Sequence, residues 1–303
     1  MSPTVLIVGA TGNTGRSVTE TLPSLLQRSN ALSKHRVIGL TRSLESPTEK
    51  QLAKLPGVEM MEKNWVEITA DWLREHQVVR AFIASHNNPN QFAEESTFHL
   101  ASLEAQAYYA RTHWAIESLL GSPEFQSMLW TSLQPNVFSQ FYLSSAAEFI
   151  QNYRQSGVRG PLRLHASKNA PVGIIDPTEV GIFAAYLLAS DDPAAHNKAK
   201  YVLNGPEDIA GAQIVELVEQ HTGLKLKDED ITYKDLVTFA DSYCDYQWAQ
   251  TGEAGNVITY IKYALETGWD GKCTASTTSK EVLELAAPKR TPAEVLRALL
   301  SEQ

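Results

Sequence analysis

The chain has 303 residues, of which 43% are hydrophobic and 20% charged, and its formal net charge at pH 7 is −9. This length and composition are typical of a soluble globular protein with room for two domains. The acidic balance and the absence of a Lys/Arg cluster argue against a nucleic-acid partner, because proteins that bind phosphate backbones present a basic face. They leave a regulatory protein partner open.

The cysteines and the apolar segments predict the cellular location. The two cysteines, Cys244 and Cys273, are too few for a disulfide framework and lack the spacing of a zinc site. No apolar run approaches the ~20 residues of a membrane span, and the run at residues 5–8 is too short for a signal sequence. We therefore expect a cytoplasmic protein with reduced thiols, no metal and no membrane contact, with nuclear entry left open.

In chain order, the first part of the sequence alternates short apolar runs with longer amphipathic segments. This alternation is typical of βαβ units and of an α/β fold with a mostly parallel sheet, whose strands are covered on both faces. The predicted strands cover residues 5–8, 36–41, 58–61, 78–84 and 130–133, and the predicted helices cover residues 15–28, 71–76, 90–105 and 108–120.

The second half of the chain is less regular. Asp176-Pro177-Thr178-Glu179 is a typical helix start, with Asp as the cap, Pro at the first position and Glu at the third, so a helix should run to residue 189. Further predicted helices cover residues 141–153, 212–221 and 291–300, predicted strands cover 160–165 and 201–203, and residues 224–271 have no assignable pattern.

The first predicted strand is followed at once by a glycine-rich turn, GATGNTG at residues 9–15, which opens the first predicted helix. Gly9 permits a tight turn, Gly12 lets the backbone approach a diphosphate, and Gly15 lets the helix pack closely on the sheet. The free N–H groups of the first helical turn then face the phosphates. This strand–turn–helix context predicts a dinucleotide site.

The end of the second strand predicts which dinucleotide binds. NAD-binding proteins usually place Asp or Glu there to accept from the ribose 2′-hydroxyl, whereas a 2′-phosphate needs a cation. Here the strand ends with Arg42, which has that charge, and Ser43 adds a donor. Arg16 is a second candidate cation. These residues predict NADP(H), with NAD as the alternative because of Glu45, and with a merely solvated Arg42 as the other interpretation.

Together with further segments, these residues resemble the NmrA-like group of atypical short-chain dehydrogenases/reductases, from the N-terminus to about Gly223. The resemblance implies a Rossmann domain, which we assign to residues 1–140, and a smaller C-terminal substrate lobe, partly interwoven with it, at residues 141–303. It also implies NADP as the cofactor. The segments that carry the resemblance are GATGNTG (9–15), LTRS (40–43), FIASH (82–86), RTHWAIESLL (111–120), WTSLQPNVF (130–138) and PVGIIDPTEVGIFAAYLL (171–188).

By position, the resemblance also implies where the cofactor lies. Asn64 follows the third strand, where the family usually has an Asp near the adenine. Ser85 and His86 end the fourth strand beneath the adenosine, and His113 stands where many relatives carry a lysine near the nicotinamide. The predicted cofactor-binding residues are Gly9, Thr11, Gly12, Asn13, Thr14, Gly15, Arg42, Asn64, Ser85, His86, His113, Pro135, Asn136 and Val137, the last three at the border of the nicotinamide pocket.

The sequence departs from the family pattern in two places. A fifth strand usually follows the helix that ends near residue 105, but here Gln106-Ala107 alone precede the next helix, too few for a strand and a crossover. Either the strand is absent or a segment has been lost through a deletion or altered splicing, which would leave a gap between the flanking strands or let them pair directly. The second departure is Leu133-Gln134-Pro135, where relatives often have an arginine before the proline.

Tyr109 and His113 are the candidate catalytic residues, because they stand four residues apart and share a face of their predicted helix. Classical members of the superfamily use Tyr and Lys at this spacing, with the tyrosine as the acid. A histidine can hold the ribose but is a weaker electrostatic partner at pH 7. The serine that usually completes such a site would lie on the missing strand, and two packing residues on a helix are the alternative interpretation.

Two functions follow from this sequence. The first is an NADPH-dependent reductase of a small, largely apolar carbonyl, enone or imine substrate; the second is a regulator that senses the dinucleotide without turnover and binds a partner protein. We prefer the enzyme, because aromatic residues in the C-terminal lobe suit an apolar pocket, although they also suit a packed core. Those residues are Tyr233, Phe239, Tyr243, Tyr246, Trp248, Tyr260 and Tyr263.

Overall fold

The structure, a computed structural model, describes residues 2–84, 108–236 and 265–301, without the side chains of residues 66 and 108–112. In these ranges the strands are β1 (Thr4–Val8), β2 (Arg36–Thr41), β3 (Val58–Glu62), β4 (Val78–Ile83), β5 (Thr131–Pro135), β6 (Leu162–Arg163), β7 (Ala199–Leu203) and β8 (Ile231–Thr232). The α-helices are α1 (Asn13–Arg28), α2 (Pro47–Leu52), α3 (Ala70–Glu75), α4 (Tyr108–Leu120), α5 (Ser139–Tyr142), α6 (Ser144–Ser156), α7 (Pro177–Leu188), α8 (Gly211–Thr222), α9 (Lys280–Ala286) and α10 (Pro292–Leu299).

The N-terminal sheet is parallel, with the strand order β3–β2–β1–β4. In the centre, Val5 of β1 lies opposite Val37 of β2 on one side and Arg80 of β4 on the other. All five residues of β1 are buried, because α1 and α7 cover one face while apolar side chains that include Trp72 of α3 cover the other. This parallel α/β architecture is the Rossmann-type fold class that the sequence predicts.

The parallel sheet does not continue from β4 to β5. Strand β5 pairs instead with β7, with Thr131 opposite Ala199, in a separate two-stranded parallel sheet. Within the described ranges no strand pairs with the outer edge of β4, and its Val79 and Ile83 are 57% and 58% exposed. A missing fifth strand was expected either to leave a gap between the flanking strands or to let them pair directly. In the described part of the chain β4 and β5 do not pair, so there is a gap.

Helix α7 joins the two sheets. Its residues Ala184 and Ala185 belong to the apolar core around β1 and α1, while Val180 and Phe183 belong to a core that includes residues of β7. Leu133 of β5 packs against both cores. Since β4 and β5 do not pair, the apolar surface buried on both sides of α7 connects the two sheets.

The first turns of α7 and α1 approach each other closely. A Cβ atom on Gly181 of α7 would lie 2.5 Å from the carbonyl oxygen of Thr14 and 2.7 Å from the Cβ of Ser17. The Ser17 hydroxyl donates a 2.6 Å hydrogen bond to the carbonyl of Thr178 in the first turn of α7. A glycine at position 181 is therefore required for the observed spacing of the two helices.

The C-terminal lobe has an apolar core of its own. Leu143, Ile150, Leu162 and Ile214 are completely buried in it, and Val295 of α10 completes it. Helix α7 and strand β7 come from the second half of the chain but pack with strands and helices of the first half. No helix in residues 2–84, 108–236 and 265–301 has the length and apolarity needed to cross a membrane.

Two segments of the second half differ from the sequence prediction. The helix predicted at residues 141–153 is divided into α5 and α6, because the buried Leu143 between them has φ −99° and ψ −1° and does not continue a regular helix. The strand predicted at residues 160–165 is reduced to Leu162–Arg163, which pairs with Ile231–Thr232. The helix predicted at residues 90–105 lies outside the described residues.

Two further differences have signals in the sequence. The strand predicted to end at residue 133 continues to Pro135, which β5 tolerates because it pairs on one side, with β7. Helix α2 was not predicted, although Ser46, Pro47 and Glu49 form a helix start, and the Ser46 hydroxyl accepts the Glu49 N–H at 3.1 Å.

The contact at Gly181 predicts a specific loss of stability. We expect Gly181→Ala to lower the free energy of unfolding by about 1–2 kcal/mol, because overpacking against Thr14 and Ser17 outweighs the gain in helix propensity. Urea unfolding followed by circular dichroism measures this change. Gly160→Ala is the matched control, since a Cβ there meets nothing within 4 Å; equal stability of both variants and the parent would contradict the prediction.

Candidate functional site

The glycine-rich turn between β1 and α1 needs two of its glycines for steric reasons. Gly9 has φ +76°, and a Cβ there would lie 2.7 Å from the carbonyl oxygen of Ala84. A Cβ on Gly15 would lie 2.1 Å from the carbonyl oxygen of Gly9, so a side chain would push α1 away from β1. The Ala10 N–H donates to the carbonyl of Leu40 at 3.1 Å, which ties the turn to the end of β2.

The turn presents free backbone donors at the start of α1. Gly12 caps the helix without a side chain, and the first turn contains no acidic residue. In the part of the chain that the structure describes, the N–H groups of Asn13, Thr14 and Gly15 have no hydrogen-bond acceptor. Gly12 and Asn13 are exposed. Unpaired amides at the positive end of a 16-residue helix form a site for an anion.

Arg42 lies directly beyond β2, two residues after the carbonyl that holds the glycine turn. Its side chain is exposed and forms no ion pair within the described ranges. Arg16, the other predicted cation, is paired with Glu20 at 2.9 Å. Glu45, the acid that kept NAD as an alternative, is paired with Lys50 at 2.8 Å. Of the two predicted cations, Arg42 is therefore the one that has no ion-pair partner among the described residues.

The remaining predicted cofactor residues have mixed placements. Asn64 is exposed after β3, and its side-chain amide donates to Glu67 at 3.3 Å. His113 is half-buried on α4. The side chain of Tyr109 and the whole of Ser85 and His86 lie outside what the structure describes. Among the residues it does describe, no group of three His, Cys, Asp or Glu side chains could hold a metal ion.

Asn136 has a structural set of contacts at the end of β5. Its side-chain amide donates to the side-chain oxygen of Asn204 at 2.8 Å and to the carbonyl of Cys273 at 3.0 Å. Its side-chain oxygen accepts the N–H of Val137 at 2.8 Å. Pro135, beside it, is exposed. The Asn136 side chain thus joins β5, β7 and the C-terminal segment, and its polar atoms are already bonded within the protein.

One of the seven aromatic residues predicted to line an apolar pocket lies in the described part of the chain. Tyr233 packs against the core of the C-terminal lobe, and a Cβ on Gly211 would lie 2.8 Å from its ring. Lys168 lies over the ring at 5.8 Å from its centroid. Tyr233 therefore packs in a core, which was the alternative to its lining a pocket. The other six aromatic residues, from Phe239 to Tyr263, lie outside the described ranges.

A buried carboxylate on α4 was not predicted from the sequence. Glu117 lies four residues after His113, on the same helix face, and is 8% exposed. It accepts hydrogen bonds from Ser132 at 2.5 Å and Gln134 at 3.0 Å, and it pairs with Lys200 at 2.5 Å. The i,i+4 spacing from His113 was available in the sequence, but the partners on β5 and β7 were not.

These contacts fix the charge of Glu117. Burial opposes ionisation, but the hydrogen bonds from Lys200, Ser132 and Gln134 and the positive charge of Lys200 outweigh it, so the pKa of Glu117 lies below its ordinary value. The ionised carboxylate therefore attaches α4, which carries Tyr109 and His113, to the β5–β7 sheet.

Comparisons with known proteins place this geometry in a fold. No protein-family model matches the chain, and no curated protein is significantly similar to it in sequence. An NADPH-dependent quinone oxidoreductase from Escherichia coli, solved with NADPH, is 17% identical with a TM-score of 0.63, over 98% of this chain and 100% of that chain. Leucoanthocyanidin reductase from Vitis vinifera, a binary complex with NADPH, is 15% identical with a TM-score of 0.61, over 99% and 100%.

NmrA, a negative transcriptional regulator in complex with NADP, is 12% identical with a TM-score of 0.57, over 99% of this chain and 92% of that chain. At these identities the similarity shows the fold. The chain has the Rossmann-type fold of NmrA and of these reductases, which confirms the fold that the sequence resemblance implied.

Glu117 predicts a pH dependence of stability. Because the pKa of Glu117 is lower in the folded than in the unfolded state, its contribution is complete above the unfolded value, near 4.5, and is lost as pH falls through the folded value. We expect Glu117→Gln to lower the free energy of unfolding at pH 7 by about 1–3 kcal/mol, through the lost charge-assisted hydrogen bonds.

The difference in unfolding free energy between Glu117→Gln and the parent should narrow as the pH falls below the ordinary Glu value, since the unfolded parent then binds a proton at Glu117 that the folded parent binds only at lower pH. Urea unfolding at a series of pH values measures it. Glu148→Gln, on the exposed side of α6, is the control and should match the parent throughout. A difference that is unchanged between pH 7 and pH 3.5 would refute the assignment.

Proposed function

We propose that the chain binds NADP(H) at the glycine turn and acts as an NADPH-dependent reductase of a small, largely apolar carbonyl, enone or imine. The observation that carries the proposal is that, among the described residues, backbone amides without acceptors at the start of α1, where Gly12 and Asn13 are exposed, occur together with an exposed Arg42 that has no ion-pair partner. The quinone oxidoreductase, leucoanthocyanidin reductase and NmrA structures, which contain NADPH or NADP, support it.

The phosphate groups of the cofactor have candidate partners in this arrangement. The amides of Asn13, Thr14 and Gly15 are the donors for the diphosphate, and the missing side chain at Gly12 leaves room for its approach. Arg42, with Ser43, is the partner of the 2′-phosphate. NAD is the weaker alternative, because Glu45 already pairs with Lys50 and its charge would have to be released to bind a ribose hydroxyl.

The chemistry of reduction belongs to the cofactor, which supplies a hydride when bound. The chain's part is to orient the nicotinamide and the substrate and to handle a proton. We assign this to α4, where His113 holds the ribose and Tyr109 is the proton donor to the substrate. Glu117 anchors the same helix to β5 and β7. Residues 1–140 then bind the dinucleotide and residues 141–303 the substrate, in a cytoplasmic protein.

One observation favours a second candidate, a regulator that binds the dinucleotide without turnover. Position 113 is a histidine, a weaker electrostatic partner for a tyrosine acid than the lysine of classical relatives. NmrA, a negative transcriptional regulator solved with NADP, has the same fold. In that case the dinucleotide would change the affinity of the chain for a protein partner.

The role of Arg42 predicts a selective loss of affinity. We expect Arg42→Ala to weaken NADPH binding by about 10–100-fold, which corresponds to a charge-assisted hydrogen bond of about 1.5–3 kcal/mol, and to change NADH binding by less than about twofold. Isothermal titration calorimetry with each coenzyme measures both affinities.

Arg74→Ala is the matched control for Arg42→Ala. Arg74 is an exposed arginine of α3 that pairs with Asp71, away from the turn. The Arg74→Ala variant should leave the affinities for NADPH and NADH unchanged. An equal loss of NADPH and NADH affinity in Arg42→Ala would remove the assigned role, and a parent chain that binds neither coenzyme would remove the proposed function.

Turnover distinguishes the two candidates. A reductase should oxidise NADPH, followed by absorbance at 340 nm, with at least one member of a panel of quinones, enones, imines and small aldehydes and ketones, and Tyr109→Phe should lower that rate by about 100-fold or more. Saturable NADPH binding without turnover, together with a protein partner whose recovery depends on NADPH, would instead establish the regulator.

A further inference from the structure

The C-terminal segment of the chain lies on the first turn of α7. The guanidinium of Arg290 donates a 2.6 Å hydrogen bond to Asp176, which caps that helix. The carboxylate of Glu179, in the first turn of α7, accepts the backbone N–H of Lys289 and that of Arg290, the latter at 3.0 Å. One side-chain ion pair and two main-chain hydrogen bonds therefore hold residues 289–290 on the start of α7.

Asp176 makes this attachment necessary for α7. Its side chain is completely buried, and its second oxygen accepts the N–H of Thr178 at 2.8 Å. A buried carboxylate needs a compensating charge, and within the described ranges Arg290 is the cation that pairs with it. Without Arg290, the buried carboxylate loses its compensating charge and has to move towards solvent, which disturbs the first turn of α7.

The same turn of α7 supports the first turn of α1 from behind. The Thr178 carbonyl accepts the Ser17 hydroxyl at 2.6 Å, and Gly181 leaves no space between α7 and the Thr14 carbonyl. The amides of Asn13 and Thr14 belong to that supported turn of α1. A displacement at the start of α7 is therefore transmitted, through atoms in direct contact, to the donors of the anion site.

We propose that Arg290 is a positioning residue for dinucleotide binding: it sets the free amides of α1 through Asp176 and the first turn of α7. This inference rests on the proposed function, because it names a residue outside the cofactor site that determines the affinity of that site. Among the described residues no hydrogen bond or ion pair joins Arg290 to α1 or to the glycine turn; it acts through Asp176 and Thr178. Coupling of this kind is reciprocal, so the dinucleotide must in turn stabilise the attachment of the C-terminal segment.

Three variants test the proposal by calorimetry with NADPH and NADH. Arg290→Ala should weaken both coenzymes equally, by about tenfold, because it acts on the amides that every dinucleotide diphosphate uses. Arg42→Ala should differ from Arg290→Ala, because it should weaken the binding of NADPH alone. Arg290→Lys should recover most of the affinity by restoring a cation beside Asp176. Lys289→Ala, the neighbouring exposed cation whose backbone N–H is retained, should match the parent.

Hydrogen exchange on the parent chain provides a second test that needs no folded variant. Saturating NADPH should slow amide exchange in residues 9–20, the glycine turn and the start of α1, and also in residues 287–299, while residues 144–156 of α6 should be unaffected. Protection of residues 287–299 supports the coupling even where Arg290→Ala does not fold.

The failure of this inference is distinguishable from the failure of the proposed function. A parent chain that binds neither coenzyme and shows no protection of residues 9–20 overturns the function itself, and this inference with it. Protection of residues 9–20 without protection of residues 287–299, or a folded Arg290→Ala with affinities within twofold of the parent, overturns the inference alone.

Discussion

The packing of α7 on α1 is the interaction on which the rest of this structure depends. The parallel sheet is interrupted after β4, and β5 with β7 forms a second sheet. The two sheets share α7, which buries Ala184 and Ala185 on one side and Val180 and Phe183 on the other. Phe183 is completely buried, and burial of such a side chain stabilises by about 1.5–3 kcal/mol. The packing of α7 also supports the first turn of α1, so the same helix contact stabilises the fold and positions the glycine turn.

The unpaired edge of β4 lowers the stability of the sheet, and polar contacts of the neighbouring elements partly offset this loss. A doubly covered parallel sheet normally gains stability from every strand added between its edges, but within the described ranges β4 ends at an unpaired edge with exposed apolar side chains. Arg80 of β4 donates to the carbonyls of Leu188 and Ser190 at the end of α7. Glu117 attaches α4 to β5 and β7. Both contacts anchor elements that flank the interruption.

The charges around the glycine turn are distributed in a way that suits a phosphorylated ligand. Arg16 and Glu45 are held in sequence-local ion pairs, with Glu20 and Lys50, so their charges contribute little to a bound anion. Within residues 2–84, 108–236 and 265–301, Arg42 has no ion-pair partner and the amides at the start of α1 have no acceptors. Donors that need no reorganisation favour a bound diphosphate, because the cost of arranging them was met during folding.

The sequence by itself determined the local features. The run before Gly9, the glycines at positions 9 and 15 and the cap at Asp176 each follow from short-range rules, because a tight turn, a close helix–strand contact and a helix start need particular residues at particular spacings. The gap beside β4 in the described part of the chain also agrees with the sequence, since two residues cannot form a strand and a crossover.

Only the tertiary structure decided which polar residues are already used inside the protein. Asn136, a predicted cofactor contact, has its side chain bonded to Asn204 and Cys273, which are 68 and 137 residues away in the chain. Glu117 and Arg290 were not predicted because their partners lie on other elements: Ser132 and Gln134 on β5 are 15 and 17 residues from Glu117, and Asp176 at the start of α7 is 114 residues from Arg290. The number of ways in which distant residues can meet is large, and burial and charge pairing select among them only once the helices and strands have packed.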